Sequence, residues 1–151
     1  MTRVGLAILA AGFLLTGSTA ARAQDSEAVV FAPTHQFADA MNAGDVKTAS
    51  EAYTPSASII DEFAPHHWNS FSDWARDADS FFKAADTTGL KITLSAPTNK
   101  EIGATFAYAV VPTTLNYVVK GKPTEEKGLF TFSLAKTPNG WRITGWTWST
   151  L

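Results

Sequence analysis

The stretch YTPSASIIDEFAPHHW, Tyr53 to Trp68, decides how the rest of the chain is read. Ala57 to Phe63 alternates as a strand does, with Ile59, Asp61 and Phe63 on one side and Ser58, Ile60 and Glu62 on the other. Thr54-Pro55 stops whatever precedes the strand, and Pro65 ends it. Two carboxylates therefore stand in an apolar run, and His66 and His67 follow directly after a proline. A carboxylate facing the inside is desolvated, which disfavours its charged form and moves it toward general-base duty. Asp61 is the first candidate for chemistry, whereas alternation sends Glu62 the other way, toward solvent or a partner subunit.

Working outward, the residues before this strand read as a helical hairpin. Asp25 to Val30 is a lead-in. After Pro33, which suits a first helical turn, Phe37, Ala40 and Met41 recur at helical spacing. Ala43-Gly44 closes that helix, and Asp45 caps a second short one with Val46, Ala49, Ala52 and Tyr53 inward. After the strand, Ser70 or Ser72 caps the longest helix, which runs to about Thr87 with a stripe of Phe71, Trp74, Ala75, Ala78, Phe81, Phe82 and Ala85.

Everything beyond Gly89 is strand-like: Lys91 to Ala96, Thr105 to Lys120, Thr124 to Lys136 and Trp141 to Thr150, with Pro138-Asn139-Gly140 as a hairpin turn. Pro112 marks a bulge or an unpaired edge position in the second of these. Helix, helix, strand, long helix and four strands predict an α+β fold, an antiparallel meander with helices segregated on one face. Strict alternation puts Trp141 on one face of the last strand and Trp146 and Trp148 on the other. The outer face then needs a cover, and a homodimer through the sheet is the expected one.

The N-terminus is expected to be a signal peptide, residues 1–23. Arg3 opens it, Val4 to Leu15 is an apolar run too short for a membrane span, and Ala21-Arg22-Ala23 fits a small-x-small cleavage site. The protein would be exported to the periplasm or beyond, without a membrane anchor. Cleavage leaves residues 24–151 as one domain and reduces the basic count from 12 to 10 against 14 acidic residues. Net acidity without a Lys/Arg cluster argues against nucleic acid as a partner. With no cysteine anywhere, the fold is held by packing and has neither disulfide nor thiol nucleophile. No phosphate-cradling glycine loop or glycine-flanked serine elbow occurs, so no cofactor is expected.

Three features together resemble the nuclear-transport-factor-2-like superfamily and, within it, the bacterial SnoaL-like proteins. They are Asn42-Ala43-Gly44-Asp45 after the first helix, Tyr53 followed by Ala57 to Asp61, and Gly140-Trp141-Arg142-Ile143 in the last strand. The resemblance implies a curved antiparallel sheet wrapped on the long helix as a cone with an apolar pocket. Dimers through the sheet are common among its members. The superfamily includes ketosteroid isomerase, and on that pattern Asp61 falls where the isomerase keeps its base. Phe37 falls at its oxyanion tyrosine, and Thr131, flanked by Phe130 and Phe132, at its protonated acid. The base position is filled and the oxyanion positions are not.

The candidate catalytic residues are accordingly Asp61 with His66 or His67, a histidine relaying a proton or orienting a ligand carbonyl. Tyr53, Phe37, Trp68 and Tyr108 are candidates for ligand binding, and Tyr53, Tyr108 or Tyr117 could replace the missing oxyanion donor. A metal site is not expected, because His66, His67 and His35 lack ligand spacing. Two functions fit: proton-transfer catalysis (isomerase, cyclase or dehydratase class) on a small apolar carbonyl compound, and a non-catalytic ligand-binding or protein-interaction domain.

Overall fold

The computed structural model describes residues 25–151; the expected signal peptide lies outside them. Helix α1 spans Glu27–Asn42, α2 Val46–Ser50 and α3 Phe71–Ala84. The strands are β1 Tyr53–Ile60, β2 His67–Trp68, β3 Thr87–Leu94, β4 Asn99–Ile102, β5 Phe106–Val119, β6 Lys122–Thr137 and β7 Gly140–Thr150. One seven-stranded sheet runs β2-β1-β7-β6-β5-β3, with β4 also pairing β5. All pairings are antiparallel except β1 with β7. The α+β expectation therefore holds, and the sheet is curved over the helices.

Local physics explains the boundaries. Asp45 Oδ1 accepts the Thr48 backbone N–H at 3.0 Å and starts α2, and Ser70 Oγ accepts that of Asp73 at 3.1 Å and starts α3. Helix α1 begins six residues before Pro33, at Glu27, where a lead-in was expected. Proline inside a helix removes one hydrogen bond, but Val30 and Phe31 ahead of it are buried, and that burial holds the extra turns. At the other end α3 stops at Ala84, and the β-branched pair Thr87-Thr88 is already strand, facing Val119 and Val118. Strand β4 was not anticipated.

Pro112 sits where the far-side neighbour of β5 changes. Leu94 of β3 faces Thr113, and Asn99 of β4 faces Val110. The Pro112 carbonyl accepts from the Ser95 N–H at 2.9 Å, so its missing N–H falls in the gap between the two strands. Pairing with β6 continues in register across it.

A bulge sets the faces of β7. Register slips between Ser133 and Leu134 opposite Gly145 and Ile143, leaving Thr144 as the extra residue. Trp141 and Ile143 point inward before it, and Trp146 and Trp148 point inward after it; all four are buried. The expected split of tryptophans between two faces is thus corrected, because one inserted residue reverses the alternation. Tryptophans on both faces cannot be the reason for a dimer. The parallel approach of β1 is also close: a Cβ on Gly145 would strike the Ser58 backbone carbonyl.

Phe37 anchors the core. It is fully buried, and its ring meets Tyr53, Phe71, Trp74, Phe130, Phe132 and Trp146 at centroid separations of 5.7 to 6.5 Å, mostly edge-on.

Candidate functional site

The α3 stripe does two things. Phe71, Trp74 and Ala78 are buried in the core, while Phe81, Phe82 and Ala85 reach past it and, with Trp74, wall a cavity against the concave face of the sheet. The cavity is about 360 Å³, within the roughly 300–1,000 Å³ typical of small-molecule sites. Leu90, Ile92, Leu115, Val119, Phe130, Trp146 and Trp148 supply sheet side chains, and Phe37 forms part of the lining from α1. The polar lining is Asp61, Glu62, Glu126, Tyr117 and Thr87.

Asp61 follows β1 directly. Its Oδ2 accepts the Trp74 indole N–H at 2.8 Å and its Oδ1 the Glu62 backbone N–H at 2.7 Å. Burial nonetheless raises its carboxyl above the ordinary 3.8, opposed by these two bonds and aided by the nearby charges of Glu62 and Glu126.

Glu62 is exposed, as alternation suggested, yet its carboxylate also reaches the cavity. Strand β1 ends at Ile60, so alternation no longer governs the next residues, and Glu62 lines the cavity. Its Oε1 accepts the Thr150 backbone N–H at 2.7 Å and its Oε2 lies 2.8 Å from the Thr150 hydroxyl. Glu126 completes the group. Its Oε1 accepts from the Trp148 indole at 3.0 Å and lies 2.9 Å from the same Thr150 hydroxyl. Its Oε2 accepts the Tyr117 phenol at 2.7 Å. Burial and the Glu126 carboxylate push that phenol up to about 12.

The other expected site residues scatter. His66 and His67 are exposed and absent from the lining. His67 pairs with Ile60 on the outward side of the β1–β2 hairpin, its Nε2 3.2 Å from Ser58 Oγ. His66 adopts a positive φ of 70° in the connecting loop, its Nδ1 3.2 Å from the Asp61 carbonyl oxygen rather than the carboxylate. The expectation that a histidine shares the cavity with the Asp61 carboxylate is therefore corrected: hairpin register turns one ring outward, and the loop holds the other on the backbone.

Trp68 points inward beside Ile59 but is not in the lining: its indole donates to Asp77 at 2.9 Å and its ring packs behind Phe63, which does line the cavity. Tyr53 lies outside the lining, stacked on Phe71, with its hydroxyl accepting the Trp146 indole N–H at 2.9 Å. Burial drives its phenol well above 10.0. Tyr108 is 39 % exposed and also lies off the cavity, opposite Ser133 on the β5–β6 ladder. Of the seven candidates, Asp61 and Phe37 line the cavity. At the isomerase acid position, Thr131 is off the lining and Phe130 is on it.

Sequence reading missed Glu126, though a signal existed. It shares strand parity with Gly128, Phe130, Phe132 and Leu134, an inward apolar series. A carboxylate on that parity marks a polar group facing the core side. Among the described residues no group of three or more His, Asp or Glu side chains converges as metal ligands. A second cleft of about 350 Å³, between α1 and the β3–β4 connection, includes Glu27, Phe31, His35 and Pro97 and shares no residue with the first.

A curved sheet folded over helices around an apolar cavity defines the cone-shaped class of α+β proteins. The chain belongs to the SnoaL-like domain family, whose model matches residues 30–151. Solved structures agree in fold. A nuclear transport factor 2-like superfamily protein from Salmonella enterica superposes with a TM-score of 0.68 at 19% identity, over 80% of this chain and 87% of that one. A ketosteroid isomerase-like protein from Erwinia carotovora gives 0.67 at 18% identity, over 82% and 95%. An NTF2-like protein with a cystatin-like fold from Novosphingobium aromaticivorans gives 0.66 at 16% identity, over 82% and 80%. No curated protein matches the chain.

Proposed function

We propose that this protein holds a small, largely apolar molecule in the cavity between α3 and the sheet and presents the Asp61 carboxyl to it as an acid–base group. One observation carries the reading: a carboxyl raised by burial opens onto an aromatic cavity of ligand size. On a carbonyl compound, Asp61 would take the proton beside the carbonyl and return it at another carbon, the isomerase type of step.

Binding without turnover is the second reading, and a specific observation favours it. The indoles of Trp74 and Trp148 and the phenol of Tyr117 already donate to carboxylates, and the Trp146 indole to Tyr53. Those donors are not available to hold an enolate oxygen in this arrangement. Deuterium exchange into small apolar ketones, run beside a binding titration, separates the readings. Exchange that Asp61→Asn abolishes supports catalysis; binding without exchange supports retention alone; neither binding nor exchange refutes both.

Export is part of the proposal, resting on the Arg3 to Ala23 pattern; an intact mass that begins at Gln24 in the exported fraction tests it. A homodimer through the outer sheet face is likewise proposed. With the tryptophan argument gone, its support is the exposure of Phe106 and Tyr108, 69 % and 39 %, on β5. Sedimentation as a monomer at micromolar concentration would refute it.

A further inference from the structure

The cavity lining carries charge of one sign. Asp61, Glu62 and Glu126 are its ionisable carboxyls, and no Lys, Arg or His lies among its residues. None of the three takes part in an ion pair among the described residues. The cavity defines the site; the carboxyls decide which charge it tolerates.

The hydrogen bonds of the two glutamates show where a positive group would seat. Thr150 Oγ1 lies 2.8 Å from Glu62 Oε2 and 2.9 Å from Glu126 Oε1. A hydroxyl has one proton, so it can donate to only one of two ionised carboxylates. The Tyr117 phenol and the Trp148 indole are spent on Glu126, and the Thr150 amide on Glu62. Glu62 and Thr150 are exposed, so a further donor from outside can reach the Glu62–Thr150–Glu126 bridge. An ammonium brings three N–H donors and a positive charge, and the lining around it is rich in aromatic rings.

We propose that the cavity selects an apolar molecule bearing an ammonium group and rejects anions, the ammonium seating against Glu62 and Glu126 with its hydrocarbon body along Phe81, Leu115 and Phe130. This rests on the cavity being a binding site and is independent of whether Asp61 catalyses. A carboxylate or phosphate ligand would meet like charge with no cation to offset it.

The test is calorimetric titration of the purified protein at neutral pH with naphthylmethylamine, naphthylmethanol and naphthoate, three probes of nearly one shape and different charge. The amine binds at least about tenfold tighter than the alcohol, and naphthoate binds weakest. In Glu62→Gln with Glu126→Gln the ratio of amine to alcohol affinity falls toward one; Glu126→Gln alone lowers it in the same direction if the double variant does not fold. Alcohol binding with no preference for the amine, or a preference that both glutamine variants leave intact, overturns the charge selection while leaving the pocket reading in place. No binding of any probe overturns both.

Discussion

Replacing Trp74 with phenylalanine isolates the contact on which the Asp61 reading turns. The indole donates to Asp61 Oδ2 at 2.8 Å, and the side chain is 4 % exposed. Phenylalanine keeps an aromatic ring in the wall and removes the donor. A hydrogen bond to a charged group contributes about 1.5–3 kcal/mol, and that loss is felt only while Asp61 is ionised. The smaller ring adds a packing cost on the order of 1 kcal/mol that does not depend on pH. Because the folded-state carboxyl lies above 3.8, its contribution to stability is fully present below that value and is lost as pH rises through the folded-state value. Removing the indole moves the folded value further up, so the loss deepens and extends to higher pH. Urea unfolding near pH 8 and near pH 3 should show the variant's destabilisation larger at the higher pH by about 1.5–3 kcal/mol. In an Asp61→Asn background the substitution should show no such pH dependence. Equal destabilisation at both pH values with Asp61 present would refute the reasoning, since it would reduce Trp74 to packing.

Gly145→Ala drives a Cβ into the Ser58 backbone carbonyl, a contact no rotamer relieves, and should cost about 1–3 kcal/mol in urea unfolding; an unchanged midpoint would contradict the close β1–β7 approach. With its phenol pushed up to about 12, Tyr117 should stay protonated at pH 10.0, where an ordinary tyrosine is half ionised. Wild type and Tyr117→Phe should then give the same phenolate absorbance there, and a lower reading in the variant would place Tyr117 in water. His66→Ala and His67→Ala should each leave probe affinity within about twofold, as substitutions away from the cavity do; a large loss from either would return a histidine to the site.

The fold was legible because its signals are local. Asp45 and Ser70 cap the helices they were expected to cap or share in capping, and the α3 stripe from Phe71 to Ala85 follows one period. Asp61 was legible for the same reason, as a carboxylate at the end of an apolar strand. Alternation failed where a strand ends or bulges. Glu62 lies beyond β1, and Thr144 is an extra residue that turns Trp141, Trp146 and Trp148 to one face. The carboxylate network was hidden for a different reason. Glu62 follows β1 while Tyr117, Glu126 and Thr150 lie on β5, β6 and β7, and it takes the β1–β7 pairing together with the β5–β6–β7 register to bring them together. The histidines misled because adjacency in sequence to Asp61 is not adjacency to its carboxylate.

The most direct test of the central claim uses the five tryptophans as built-in reporters. Trp74, Trp146 and Trp148 line the cavity, while Trp68 and Trp141 lie off it, bonded to Asp77 and Asp25. A proton–nitrogen correlation spectrum resolves the indole N–H signals during titration with naphthylmethylamine. The account predicts that the Trp74 and Trp148 signals move most, that Trp146 follows, and that Trp68 and Trp141 stay in place. Movement confined to Trp68 or Trp141, or no movement at saturating probe, would contradict it.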